Sequence, residues 1–365
     1  MSIRLPALLL ASMLLAPDLA AQSVPAPTVV PPTAATPRPL PGPVFESPAF
    51  TRAVAAGTRT RTGMPGAKNW VQHARYAIDA ALDPVAGRVS GTERVTYLNH
   101  SPDTLRTLFI YLRQNVFAPG SPRREPVPIT GGVTLARVMV GDQQYSPADT
   151  AIGPRRRGGQ LGTYLVQGTV MRLPLAAPLL PGDSASLSFA WSYAPAPTPS
   201  DGREGREGNV FFMGYWYPQV AVYDDVNRWV TDPYLNGAEF YMDPADYDVR
   251  LTAPYGWTVA ATGRLVNSAE VLTPAARDSL RVARTSGRVI RLFEPGRDPA
   301  LVFARHSATA TWHFVATDMR DFAWSASNEQ AWDATRALVP RPGGATDTVD
   351  IHSFFRLTDR AAAWN

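Results

Sequence analysis

The stretch "ASLSFAWSYA", residues 185–194, decides the fold class. Leu187, Phe189, Trp191 and Tyr193 occupy alternate positions, with Ser186, Ser188 and Ser192 among the places between. Successive side chains of a strand point to opposite faces, so this segment predicts a strand with one face on a core and one on water.

Working outward, the same period of two recurs. "ARYAIDAALDP" (74–84) puts Tyr76, Ile78, Ala80 and Leu82 on one face and turns at "DPVAG". "GTERVTYLNHSPDTL" (91–105) returns with Val95 and Tyr97 in phase, which predicts a hairpin. "LRTLFIYLRQNVF" (105–117) is more continuously apolar, as for a strand buried on both faces. "VTLARVMVGDQQY" and "TYLVQGTVMRLPL" add two strands, and "YDVRLTAP" and "WTVAATGRLV" flank a turn at "APYG". "GRVIRLFEPG", "ATATWHFVATDMRDFAWSAS" and "DTVDIHSFF" complete the pattern. About a dozen short strands with hardly a helical pattern predict an all-β chain, a large antiparallel β-sandwich or saddle over residues 68–355.

Composition agrees. Of the 365 residues 45% are apolar and 18% charged, values of a globular chain, and 35 prolines oppose long helices. A net charge of +4 without a basic face gives no nucleic-acid partner. The arginine runs "SPRREP" and "GPRRRGGQ" sit among Pro and Gly and read as solvated loops. Zero cysteines exclude disulfides, thiolate metal sites and a cysteine nucleophile.

The ends differ from the middle. Residues 1–21, with Arg4 ahead of an apolar run from Leu5 to Leu15 and small residues at Ala20 and Ala21, have the layout of a secretory signal peptide. The mature chain is therefore expected in the periplasm or secreted, with no membrane span. Residues 22–67 form a linker, Pro/Ala-rich up to Pro48, which predicts a disordered tail up to about Gly66. In residues 356–365, "RLTDRAAAWN", Thr358 or Asp359 would cap a helix cut short, as at the truncated start of a further domain.

Candidate chemistry is sparse. His73, His100, His306, His313 and His352 include no pair spaced for a metal, and there is no H-E-x-x-H, so neither a metal-ligating set nor a cofactor is expected in this chain. There is no G-x-S-x-G, and "GREGREG" (202–208) lacks the strand and helix that a phosphate loop requires. The carboxylates Asp224, Asp225, Asp232, Glu239, Asp243, Asp246 and Asp248, interleaved with Trp216, Trp229, Tyr234 and Tyr241, have the composition of a sugar-hydrolysing site. Against that, Asp-Pro and Asn-Gly are turn sequences in which the acid bonds its own backbone. No catalytic residue is assigned.

The order of segments resembles the N-terminal β domain of the aminopeptidase N family of zinc metallopeptidases over roughly residues 70–355. Tyr217, Pro218, Tyr223 and Asp224 of "GYWYPQVAVYDD" match a Pro-to-Asp element. Tyr247, Val249, Leu251, Pro254, Trp257 and Gly263 match the strands after it, and Phe314, Asp318, Asp321 and Phe322 match a closing strand. Leu82, Gly87 and the "N-x-S-P" turn at Asn99 fit the opening hairpin. The resemblance implies that the aromatics fill the sandwich and Asp224 fixes a turn. It implies zinc and a peptide substrate only for a full-length protein, whose partner to this chain would be a C-terminal catalytic domain. The family's H-E-x-x-H and G-x-M-E-N-like loop are absent here; Glu207 is the acid nearest the family's substrate-contacting position, and no role is carried over to it. The alternative is a stand-alone envelope module that holds a peptide or glycan on exposed Trp and Tyr.

Overall fold

The structure is a computed structural model that describes residues 45–148, 162–198, 203–237 and 241–358. The expected signal peptide, the first half of the linker (22–44), the "GPRRRGGQ" run, Glu239 and residues 359–365 lie outside the described residues.

The largest sheet has eight strands in the order β17 (Arg264–Leu265), β19 (Thr309–Met319), β15 (Ala245–Pro254), β1 (His73–Asp83), β2 (Arg88–Leu98), β9 (Ser184–Tyr193), β4 (Thr134–Val140) and β5 (Gln143–Gln144). A five-stranded sheet runs β12 (Gln219–Val220), β3 (Leu105–Tyr111), β8 (Val170–Leu179), β7 (Thr163–Gln167) and β6 (Ser146–Pro147). Three smaller sheets follow. One is β10 (Gly205–Glu207), β11 (Val210–Met213), β20 (Trp324–Ser327) and β16 (Thr258–Ala261); the next is β18 (Ile290–Phe293), β21 (Ala331–Pro340) and β22 (Thr346–Phe355). The last is the pair β13 (Tyr223–Asp224) and β14 (Arg228–Trp229).

The alternation read from the sequence sets the core. Leu187, Phe189, Trp191 and Tyr193 of β9 are all buried, as are Tyr76, Ile78, Ala80 and Leu82 of β1. They join Leu108, Ile110, Met171 and Leu173 of the five-stranded sheet in one apolar cluster. β1 and β2 form the expected hairpin, from His73 opposite Leu98 to Asp83 opposite Arg88. At Gly91 of β2 an added Cβ would lie 2.7 Å from the Trp191 ring and 2.9 Å from the Asp79 carbonyl, so the glycine admits the indole.

Four features differ from the sequence expectation. The eight-stranded sheet is not wholly antiparallel, because β1 and β15 pair in parallel from Ala74 opposite Ala245 to Ala81 opposite Thr252. The long stretch between them allows this, since a parallel pair requires a crossover rather than a tight turn. The run 105–117 is not one strand: β3 stops at Tyr111 and a buried 3₁₀ turn, Arg113–Phe117, follows. There Arg113, Gln114 and Asn115 find side-chain and carbonyl partners that a central strand would not offer.

Order also begins earlier than Asn69. Helix α1 (Pro48–Ala56) has Ser47 as N-cap, accepting from the Phe50 amide at 3.2 Å, and ends at Gly57 with φ +79°. Finally, α3 (Pro274–Ser286) lies where no helix was expected, after a one-turn helix α2 (Ser268–Val271). Thr273 caps it, Pro274 opens it and Gly287 closes it, with Ala276 and Ala283 buried. No described helix is long and apolar enough to cross a membrane.

Candidate functional site

Tyr215, Trp216 and Tyr217 lie between two small sheets' strands in sequence, and all three are buried. The Trp216 indole N–H donates to the Phe322 carbonyl at 2.7 Å, and its ring meets Trp191 and Trp324 edge-on at 5.7 and 5.8 Å. The Tyr217 hydroxyl donates to Asp321 Oδ1 at 3.0 Å, lies 2.9 Å from the Tyr247 hydroxyl and accepts from Gln219 Nε2 at 3.1 Å. Arg113 stands over the Tyr111 ring at 4.6 Å and donates to Gln219. Burial pushes the Asp321 carboxyl above its usual range, partly offset by Arg113, the Phe322 amide and Tyr217.

Beside this centre, Gln114 donates to Glu204 and to the Tyr215 carbonyl. Glu93 is more isolated. Burial raises its carboxyl well above the usual value, and the nearby Trp191 indole lowers it a little without making a hydrogen bond of normal geometry. These groups face one another rather than an open space. The void next to Gln219 and Tyr76 is only about 20 Å³, too small for a substrate. The arrangement holds strands and loops of separate sheets together.

The adjacent acids have separate structural uses. Asp224 Oδ1 accepts from the amides of Val226, at 3.0 Å, and Asn227, and Oδ2 accepts from Asn227 Nδ2 at 3.1 Å, which builds the turn from β13 to β14. Arg228, with φ +62°, completes it. Asp225 receives Arg59 at both oxygens, the shortest contact being Nη2–Oδ1 at 2.7 Å. Burial pushes the Asp225 carboxyl up, but the Arg59 and Thr58 hydrogen bonds and the Arg59 charge outweigh it and hold the pKa below the usual value.

The other acids of that segment disperse. Asp246 pairs with His73 at 3.0 Å, and Asp248 with His313 at 2.8 Å. The Asp232 carbonyl accepts from the Tyr111 hydroxyl at 2.8 Å. Asp243 alone titrates as a catalytic acid would: burial, then the Asp224 charge, push it up to about 7 against Arg320. It borders the same 20 Å³ void, so no sugar ring reaches it. Among the described residues no group of three or more His, Asp or Glu could hold a metal ion. His73, His100, His313 and His352 are divided among separate partners, and this donor set does not fit zinc.

Trp191, Trp216, Trp257, Trp312, Trp324 and Trp332 are buried, and Tyr241 is the aromatic among the exposed large hydrophobics of the β region. Trp191, Trp312, Trp324 and Trp332 are buried from strands, Trp216 and Trp257 from the connections between them, and Trp70 and Trp229 are partly buried against the core.

A cleft missed by sequence reading lies where α3, β16, β19, β20 and the β21–β22 hairpin meet. Its volume is about 980 Å³, and Trp312, Phe314, Trp324, Trp332 and Phe354 line it. The Trp332 indole N–H donates to His352 Nδ1 at 3.1 Å. Loss of solvation lowers the His352 pKa, and Asp350 only partly offsets it. The signals that would have revealed the site are the Thr273–Pro274 start and Gly287 stop of α3.

Fold and site together define a mostly β domain with a buried, hydrogen-bonded polar centre, mixed in its main sheet and antiparallel almost everywhere else. No family model and no curated protein matches the sequence. Among solved structures it is similar to an M1 zinc metallopeptidase from Deinococcus radiodurans at 13% identity and a TM-score of 0.40, covering 79% of this chain and 48% of that one. A mutant of that enzyme gives 12% and 0.39 over 79% and 48%. A two-domain M1 zinc metallopeptidase mutant bound to L-arginine gives 13% and 0.39 over 81% and 50%. The chain thus spans about half the length of these enzymes. Superposition at this level does not by itself assign an activity.

Proposed function

We propose that this chain is the non-catalytic N-terminal β domain of an exported aminopeptidase N-like zinc metallopeptidase, located in the periplasm or outside the cell. One observation carries the reading. The three separated segments on which the family resemblance rests converge on Tyr217, which meets Tyr247 of the second segment and Asp321 of the third. Trp216 adds the contact to Phe322. Residues that resemble a family motif in sequence and interlock in space act as one framework, and here the element that contains Asp224 is part of it.

In this reading the zinc and the general base would belong to a helical catalytic domain of the same protein, where zinc would supply the activation of water for peptide-bond hydrolysis. This chain contributes a rigid wall beside that domain and meets peptide only in its company. Its partner is therefore that domain, with no nucleic acid involved.

The reading frame around this coding sequence tests the proposal directly. An H-E-x-x-H segment followed by a further Glu is expected downstream of the Asn365 codon or in the adjacent frame. A native frame that ends at Asn365, with no such segment beside it, would overturn the proposal.

A further inference from the structure

The cleft under α3 has no part in the framework role. Its walls are aromatic, contributed by Phe212 of β11, Trp312 and Phe314 of β19, Trp324 of β20, Trp332 of β21 and Phe354 of β22. A space of about 980 Å³ lies at the upper end of small-molecule sites. Apolar walls of this kind hold water poorly, so an apolar body that enters gains the burial of its own surface and of the rings.

The polar groups are few and mostly of one sign. Arg203, Arg264, Arg281 and Arg284 line the cleft with a single carboxylate, Asp350. Arg284 pairs with Asp350, and Arg281 with Asp278. Arg264, at the edge of the main sheet, has no ion-pair partner among the described residues. His352 adds a directional donor. Because the Trp332 N–H fills Nδ1, the neutral ring carries its hydrogen on Nε2, which has no hydrogen-bond partner among the described residues.

We propose that this cleft binds a soluble anionic amphiphile. Its aliphatic or aromatic body lies against the Trp and Phe walls, and its carboxylate or similar head group meets the arginines and His352 Nε2–H. Charge complementarity selects the head, since Arg geometry suits a carboxylate and a cationic head would face four arginines. The proposal is independent of the peptidase reading; it would hold equally in a chain that never meets a catalytic domain.

The test uses the full chain and two brominated probes, 11-bromoundecanoate and 11-bromoundecanol, both below their aggregation limits. Three tryptophans line the cleft, and bromine quenches indole fluorescence on contact, so occupancy is read from the protein itself. The acid is expected to quench saturably and to bind at least tenfold more tightly than the alcohol. Arg264→Glu should weaken the acid fivefold or more and leave the alcohol within twofold. Ala261→Phe, which fills the cleft from β16, should remove saturable quenching by both.

Equal affinities for acid and alcohol, or absence of saturable quenching, would overturn the proposal. So would quenching that persists in a folded Ala261→Phe protein, since the probe would then sit elsewhere. If Ala261→Phe does not fold, the exposed Arg264→Glu substitution decides by the same acid-to-alcohol ratio.

Discussion

The centre around Trp216 and the cleft under α3 are both built from tryptophan and phenylalanine, yet they are opposite kinds of place. At the centre, the Trp216 N–H and the Tyr217 hydroxyl have partners and the rings meet at 5.2–6.2 Å, with no space left between them. In the cleft, the indole nitrogens of Trp312 and Trp324 are buried without a partner, and about 980 Å³ stands open beside the rings. Aromatic density is common to both, so it cannot distinguish a core from a site. Unfilled volume can; unsatisfied polar atoms occur in both places, since the Trp191 indole nitrogen and both Glu93 oxygens are buried without a partner beside the centre.

The sharpest way to break this contrast is to remove volume at the centre and to add it at the cleft. Trp216→Ala should cost about 3–5 kcal/mol, enough to abolish cooperative folding in a domain of ordinary stability, as read by urea unfolding. At the cleft, Ala261→Leu should change stability by less than about 1 kcal/mol, because the added methyl groups enter existing space. Equal losses at the two positions would erase the distinction.

Smaller effects sharpen it. Tyr217→Phe removes a hydroxyl that links β12, β15 and the loop before β20, and should cost roughly 1–3 kcal/mol by leaving Asp321 and Gln219 short of a partner. Two acids should then respond to pH in opposite directions. The Asp225 carboxyl is held below its unfolded pKa, so its contribution is present above about pH 4 and is lost as pH falls through the lower folded value. Asp225→Asn should therefore flatten the acid limb of the stability curve.

Asp243, raised to about 7, is protonated in the fold at pH values where the unfolded chain has released its proton. Its contribution is full below about pH 4 and declines as pH rises through about 7, so Asp243→Asn should gain on the wild type by on the order of 1–3 kcal/mol at pH 8. Thermal unfolding between pH 3 and 8 measures both.

Much of this was legible in the chain. The period-two positions of β1, β2 and β9 name the core residues directly, because strand geometry fixes which side chains share a face. Asp224 as a turn residue was legible too, through the family resemblance of the element that ends on it. Other features depend on contacts between distant segments, which periodicity does not encode. The parallel pairing of β1 with β15 is one. The position of Glu93 is another: it falls on the inward phase of β2 between Gly91 and Val95, where a carboxylate contradicts its own pattern. Helix α1 was hidden by the proline-rich sequence before it, although Ser47–Pro48 is a sound cap. The cleft was hidden most deeply, because its walls come from strands of three sheets and from an unexpected helix.

The functional claim rests on the idea that this framework holds no zinc and performs no hydrolysis on its own. The most direct measurement is metal content together with turnover of alanyl p-nitroanilide, on the purified 365-residue chain after incubation with zinc and removal of excess. Substoichiometric zinc and a rate indistinguishable from buffer are predicted. One zinc per chain with arylamide cleavage that a chelator abolishes would contradict the claim outright.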